Sequence, residues 1–270
     1  MEQENRETAE GQEGRRAPLL LHIFHSFGVG GAQTRFVAIA NHFGPAMRHR
    51  IVALNGDYTY MGELNAEIDA QIQPLLTGGN CTIGALQGAM KTLRALRPDR
   101  LITHNWGTIE WAAANLFFGA PHIHIEDGFG PDELKAQKLR RIVARSLLLR
   151  RSEVVVPSKS LKKIAKSVWR LPANRVHYIP NGIDCERFSP SDHSRSERDQ
   201  SNVVIGTVAA LRQEKNVARL VQAVSLIARD SWRLVIVGEG SERCRLEDLV
   251  RASGLAERVE FTGHRADPAP

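Results

Sequence analysis

Cysteine is scarce: Cys81, Cys185 and Cys244 are the three in 270 residues. With no C-x-x-C pair among them they offer neither a disulfide framework nor a zinc-ligand spacing. A cytoplasmic location is expected on that ground. No stretch approaches the ~18 uninterrupted apolar residues of a membrane span. No secretory leader is expected: Arg15-Arg16-Ala17-Pro18-Leu19-Leu20-Leu21 meets His22 and His25 at once and follows an opening in which five of fourteen residues are Glu. Residues 1–15 read as a disordered polar tail. Aromatic side chains make up only 6% of the chain.

Apolar residues, by contrast, reach 42% with 22 glycines besides, a globular composition. A chain of this length is expected to hold about two domains at roughly 150 residues each. Net charge is +6, from 36 basic against 30 acidic side chains. The excess is concentrated. Between Lys138 and Arg175 stand twelve Lys or Arg and one acid, Glu153. Such a stretch suits phosphate groups or an anionic surface. Trp169 and Tyr178 are the only aromatic side chains in or next to it, too few for a stacking platform, so no nucleic-acid partner is expected.

The patterning reads as repeated strand, turn and helix. Leu19 to Phe24 is apolar, breaks at Phe27-Gly28-Val29-Gly30-Gly31, and gives way to Phe36, Ile39, Ala40 and Phe43 at helical spacing. Further strands are expected at His49–Leu54, Arg100–Thr103, His122–Ile125, Val154–Val156 and Val176–Ile179, most of them separated by helices. That order predicts a parallel sheet of the doubly wound α/β class. The polar run from Ser189 to Asn202 reads as a linker, closing a first domain of residues 16–188. After it Val203–Val208, a loop, and a helix begun by Asn216 as N-cap open a second domain, 203–270, with strands at Leu234–Val237 and Val259–Thr262. Three strands are half of a doubly wound unit.

Several positions could carry chemistry. Gly28, Gly30 and Gly31 lie at a helix start, where amides suit an anion or a close-packed sugar; the other reading is a tight turn needing positive φ. The third glycine of the dinucleotide fingerprint is missing there, and Gly238-Glu239-Gly240 fails it as well, which disfavours a nicotinamide enzyme twice. Arg212 and Lys215 converge with a helix dipole on one loop, enough positive charge for a diphosphate without a metal, or else two solvated cations. His122 and His124 share a strand face with no third metal ligand at a matching spacing, and read as core or cleft side chains. Glu126 and Asp127 end that strand at the carboxyl edge of the sheet, where α/β folds bind ligands, so a carboxylate there is an acid–base candidate. Leu139, Ile142, Val143 and Leu147 form an apolar stripe expected to pack inward, with Lys138, Arg141 and Arg145 on the opposite, solvated face.

Taken in order, Gly30-Gly31-Ala32-Gln33, Ile179-Pro180-Asn181-Gly182-Ile183-Asp184, the loop from Val208 through Leu211 and Arg212 to Asn216, and Leu234–Gly240 resemble the family-4 glycosyltransferases of the GT-B fold. The resemblance spans about Leu19 to His264. It implies an N-terminal, acceptor-side Rossmann-like domain and the first half of a donor-binding one, the family's two donor-contacting glutamates falling beyond Pro270. It further implies retaining transfer of a sugar from a nucleotide-diphosphate donor to a glycan or lipid-linked acceptor, with no metal and no cofactor. In this frame Gly30 and Gly31 line the cleft, Arg212 and Lys215 bind the donor, and Asp127 stands near a histidine that contacts the transferred sugar. An Arg is usual where this chain has Ala210. The alternative function is a non-catalytic module holding a glycan or a lipid head group, and the basic stretch 138–175 suggests peripheral contact with an anionic membrane at the inner face of the plasma membrane.

Overall fold

The computed structural model describes residues 16–75, 82–133, 136–186, 188–189, 203–228 and 231–265. The expected tail, residues 1–15, and residues 190–202 of the expected linker lie outside them. The chain divides into two compact units, one ending at Gly182 and the other beginning at Ile183.

The first unit alternates strand and helix along its length: β1 (Leu19–Phe24), α1 (Gly31–Phe43), β2 (Arg48–Ala53), β3 (Ala70–Ile72), α2 (Thr82–Leu96), β4 (Arg100–His104), α3 (Ile109–Phe118), β5 (His122–Ile125), α4 (Leu139–Leu148), β6 (Glu153–Val156), α5 (Lys159–Ser167) and β7 (Val176–Tyr178). All neighbours pair in parallel, in the order β3-β2-β1-β4-β5-β6-β7. Strand order reverses between β1 and β4, so the loops leaving those two strands flank the crevice where such sheets take ligands. The apolar run of β1 is buried at every residue, as a central parallel strand covered on both faces must be. β3, three residues at the sheet edge, has too short a pattern to stand out in the sequence.

Histidine is built into this interior. His22 Nε2 lies 3.1 Å from His49 Nδ1, and His104 stacks on Phe24 with ring centroids 3.9 Å apart. Thr103 Oγ1 is 2.8 Å from both His122 Nε2 and His124 Nδ1, while His122 Nδ1 meets Ser152 Oγ at 2.7 Å. Both ring nitrogens of His122 are thereby engaged inside the core. Burial depresses the pKa of His22, His49 and His104, and takes His122 to about 3, reinforced by His124. The unfolded chain takes up protons as pH falls through about 6.5, whereas the folded rings take them up only at lower pH. Stability is therefore complete above that pH and declines below it, by about 1.4 kcal/mol per pH unit for His122 alone until pH nears its folded pKa. Thermal melts at pH 7.5 and 5.5 should show a clearly lower midpoint in the acid sample; equal midpoints would contradict neutral burial.

One helix departs from its expected orientation. On α4 three of the four stripe residues point outward, Leu139, Val143 and Leu147 at 73, 48 and 66% exposure, while Ile142 packs against the core as expected and Arg145 is wholly buried. The reason is charge. Glu126 and Glu133 are buried beside the helix and need a cation, and Arg145 supplies it: Nε donates to Glu126 Oε2 at 3.1 Å, and its terminal nitrogens donate to Glu133 at 3.4 and 3.3 Å. Its guanidinium also lies 4.9 Å from the ring centroids of both Trp106 and Trp169.

The second unit contains β8 (Val203–Val208), α6 (Val217–Ser225), β9 (Trp232–Val237), α7 (Arg243–Ala252) and β10 (Val259–Gly263), a parallel sheet ordered β10-β9-β8. Val217, Val221 and Val224 of α6 and Leu246 and Val250 of α7 close over Leu234 and Ile236 of β9. Gly238 and Gly240 let the loops beyond β8 and β9 pass each other: a Cβ on Gly238 would meet Ala209 O at 2.0 Å, and one on Gly240 would meet Leu211 O at 2.3 Å. Glycine is required here by backbone approaching backbone.

Candidate functional site

In the first unit, the loops after β4 and β5 enclose a recess of about 460 Å³ lined by Asn105, Trp106, Gly107, Asp127, Phe129 and Arg141 among others. Adjacent carboxylates part company at its rim. Glu126 turns inward to Arg145, while Asp127 faces the recess. Both oxygens of Asp127 are engaged by Arg35 from α1, at 2.7 and 3.1 Å. The same guanidinium donates to Asn181 Oδ1 at 2.6 Å, so one side chain ties α1 to the ends of β5 and β7. Such a bidentate pair fixes the carboxylate in place.

Asn105 supports Asp127 from the other side. Its Oδ1 accepts from the Asp127 amide at 2.8 Å, and its own amide donates to Ile125 O at 2.8 Å. Its backbone sits at φ 61, ψ 174, a region otherwise nearly confined to glycine and costing of order 1–3 kcal/mol. Strain of this kind persists where surrounding bonds enforce it, and here two do. Neither Arg35 nor Asn105 was singled out from the sequence. For Arg35 the signal was a lone cation in α1; for Asn105 it was its place at the end of β4, matching that of Asp127 after β5.

Of the glycines at the start of α1, none has positive φ, which overturns the tight-turn reading. Gly30 is extended, and the nearest obstacle to a Cβ there is the tip of Gln33. Gly31 has open space where a Cβ would stand, whereas one on Gly28 would come within 2.4 Å of Asp57 Oδ2. Thr59 and Ser26 donate to that carboxylate and hold its pKa below the usual range.

In the second unit, Arg212 leads into a short 3₁₀ turn, Gln213–Lys215, which delivers the chain to α6. Arg212 and Lys215 are both exposed, and among the described residues neither forms an ion pair. Arg212 lines a recess of about 140 Å³ with Gln213, Asn216, Glu242 and Arg245, while Lys215 is outside its wall. Asn216 does precede α6 but does not cap it with its side chain; at φ 49, ψ 40 it is left-handed, a conformation Asn tolerates and one that ends the 3₁₀ turn. Glu239 is ion-paired with Arg243, which offsets the repulsion its charge would exert on an anion.

Two parallel sheets, each with its candidate groups on loops at the carboxyl edge, define the Rossmann-like α/β class found in GT-B glycosyltransferases. The model of Glycosyltransferase Family 4 matches residues 29–187, and that of Glycosyl transferases group 1 matches residues 189–269. The chain belongs to glycosyltransferase family 4. It is 26% identical over 193 residues to a D-inositol 3-phosphate glycosyltransferase of Stackebrandtia nassauensis, covering 62% of this chain and 43% of that protein. It is 34% identical over 133 residues to a GDP-mannose-dependent alpha-(1-6)-phosphatidylinositol monomannoside mannosyltransferase of Mycobacterium tuberculosis, covering 45% and 34%. The chain thus spans less than half the length of these curated relatives. Among solved structures, Anabaena HepE in complex with UDP superposes with a TM-score of 0.73 at 19% identity, covering 93% of this chain and 70% of that one.

Proposed function

We propose that this chain serves the transfer of a sugar from a nucleoside-diphosphate donor to a glycan or lipid-linked acceptor, with retention of configuration and with side-chain cations in place of a metal. The observation that carries the reading is the loop after β8, where Arg212 and Lys215 stand exposed and free of ion pairs among the described residues, beside the start of α6. As the glycosidic bond breaks, negative charge gathers on the departing diphosphate, and preplaced cations at that point stabilise the transition state. Relatives named for GDP-mannose and a neighbour bound to UDP share the diphosphate and differ in the base, which supports assigning these cations to the phosphates.

On the acceptor side, the recess offers a fixed carboxylate, an amide and an indole, a set suited to sugar hydroxyls and to the C–H face of a pyranose. Asp127, locked by Arg35, orients a hydroxyl there. That engagement also favours a rival, a non-catalytic module that holds a glycan, and donor hydrolysis separates the two: release of free sugar from a nucleotide-diphosphate sugar supports the enzyme, and binding without turnover supports the module.

Calorimetric titration with UDP, UMP, GDP and GMP tests the donor assignment. Each diphosphate is expected to bind at least tenfold more tightly than its monophosphate, because the second phosphate adds a charge-assisted contact worth about 1.5–3 kcal/mol. Equal affinity within each pair would overturn it.

A further inference from the structure

We propose that the recess of the first unit receives an uncharged sugar and turns away one that carries phosphate, an inference that rests on reading this recess as the acceptor side. Charge decides it. Among the described residues, the wall and the layer directly behind it hold the carboxylates Asp127, Asp132, Glu126 and Glu133 and the cations Arg35, Lys138, Arg141 and Arg145. Every one of them is paired. Arg35 holds Asp127 at 2.7 Å. Lys138 and Arg141 reach Asp132 at 2.7 and 2.8 Å, and Arg141 also reaches Glu133 at 2.8 Å. Arg145 is shared between Glu126 and Glu133. Hydrogen bonds from Lys138 and Arg141 lower the Asp132 pKa to about 2, so the wall keeps that negative charge at neutral pH.

A phosphate entering here finds no cation left over among the described residues. It would have to take Lys138 or Arg141 from Asp132, exchanging one charge-assisted contact for another, while Asp127 and Asp132 on the wall repel it. A neutral sugar meets no such cost. The groups that the wall offers without a partner are themselves uncharged. Because the Asp127 amide donates to Asn105 Oδ1, Asn105 Nδ2 is left as a donor, and neither it nor the Trp106 indole N–H makes a hydrogen bond among the described residues. Both suit a hydroxyl oxygen. The loop after β8 is the opposite case, with Arg212 and Lys215 exposed and free of ion pairs among the described residues. Any phosphate of a lipid-linked acceptor therefore stays outside the recess, and the sugar that enters is a plain one.

The test titrates methyl glucoside, methyl mannoside and methyl galactoside, each against its phosphate monoester, into the isotope-labelled full chain. It is run at pH 8, where free histidine is neutral and a phosphate monoester is close to dianionic. The signal followed is the Trp106 indole N–H, assigned through Trp106→Phe, because it reports the recess and not phosphate bound at Arg212 and Lys215. At least one glycoside is expected to shift it saturably, and the matching ester to bind at least about tenfold more weakly, the effect of like charges at close range. Asp132→Asn releases Lys138 and leaves Arg141 to Glu133. It should raise the affinity of the ester about tenfold and leave that of the glycoside within about twofold. Asp132 is exposed, and a retained Trp106 signal shows that the variant is folded. An ester that binds as tightly as its glycoside, or an Asp132→Asn variant that leaves their ratio unchanged, would overturn the exclusion of phosphate while the acceptor reading stands. A Trp106 signal that neither glycosides nor esters move would overturn that reading and this inference together.

Discussion

Replacing Arg145 by methionine is expected to destabilise the first unit by about 3–5 kcal/mol, the cost of removing one partner from a buried ion pair. The expectation rests on what the substitution leaves behind. Glu126 is fully buried, and the basic side chains beside it are Arg145 at 3.1 Å and His124 at 3.6 Å. Glu126 Oε1 already lacks a hydrogen-bond partner among the described residues. Glu133 retains Arg141 at 2.8 Å: burial pushes its carboxyl up, and hydrogen bonds from Arg141 and Arg145 hold it below the ordinary range nonetheless. The methionine variant therefore strands Glu126 more completely than Glu133. Adding Glu126→Gln removes that stranded charge, so the double variant should recover much of the loss, whereas Arg145→Lys should fall between, keeping the charge but losing the planar stack on Trp106 and Trp169. Urea unfolding midpoints of the three variants check the order. A loss under 1 kcal/mol in Arg145→Met would mean that the network contributes little.

Arg145 also shows where reading the sequence reached its limit. Nine of the ten described strands were expected near where they form, β1 from a continuous run buried at every residue and others, such as β5 (His-Ile-His-Ile) and β10 (Val-Glu-Phe-Thr-Gly), from shorter or interrupted apolar stretches between turn signals. α4 misled for a tertiary reason: leucines and valines at helical spacing ordinarily face the core, and arginines rarely do. The deciding partners, Glu126 and Glu133, lie 19 and 12 residues away in sequence, and nothing local marks them as buried. Asp127 was readable as the carboxylate at the end of β5. Its clamp was not, because Arg35 is 92 residues distant and meets it only through the strand order that brings β1 between β2 and β4. At the start of α1 the glycines were noticed, but their extended backbone was not foreseeable, since φ depends on the path of the loop.

Loss of Arg212 and Lys215 together is expected to abolish the preference for diphosphate over monophosphate and to weaken UDP and GDP by at least a hundredfold. Each charge-assisted contact to an ionised oxygen contributes about 1.5–3 kcal/mol, or tenfold and more per side chain. Neither cation is tied to a carboxylate among the described residues, so truncation to alanine leaves no buried charge unpaired and the effect should appear in affinity rather than in folding. The two need not contribute equally. Lys215 closes the 3₁₀ turn immediately before α6 and acts as a point charge at the helix start, where the dipole reinforces it. Arg212 reaches from the far side of the turn, and its amide donates to Ala210 O at 2.9 Å, which places Ala210 within the same bend. Ala210→Arg therefore introduces a third guanidinium where the family resemblance expects one. If Arg212 serves in its stead, that gain should restore most of the affinity lost in Arg212→Ala and little of that lost in Lys215→Ala. Unchanged nucleotide affinity in both single alanine variants would remove the diphosphate from this loop, and with it the account of how charge on the leaving group is met.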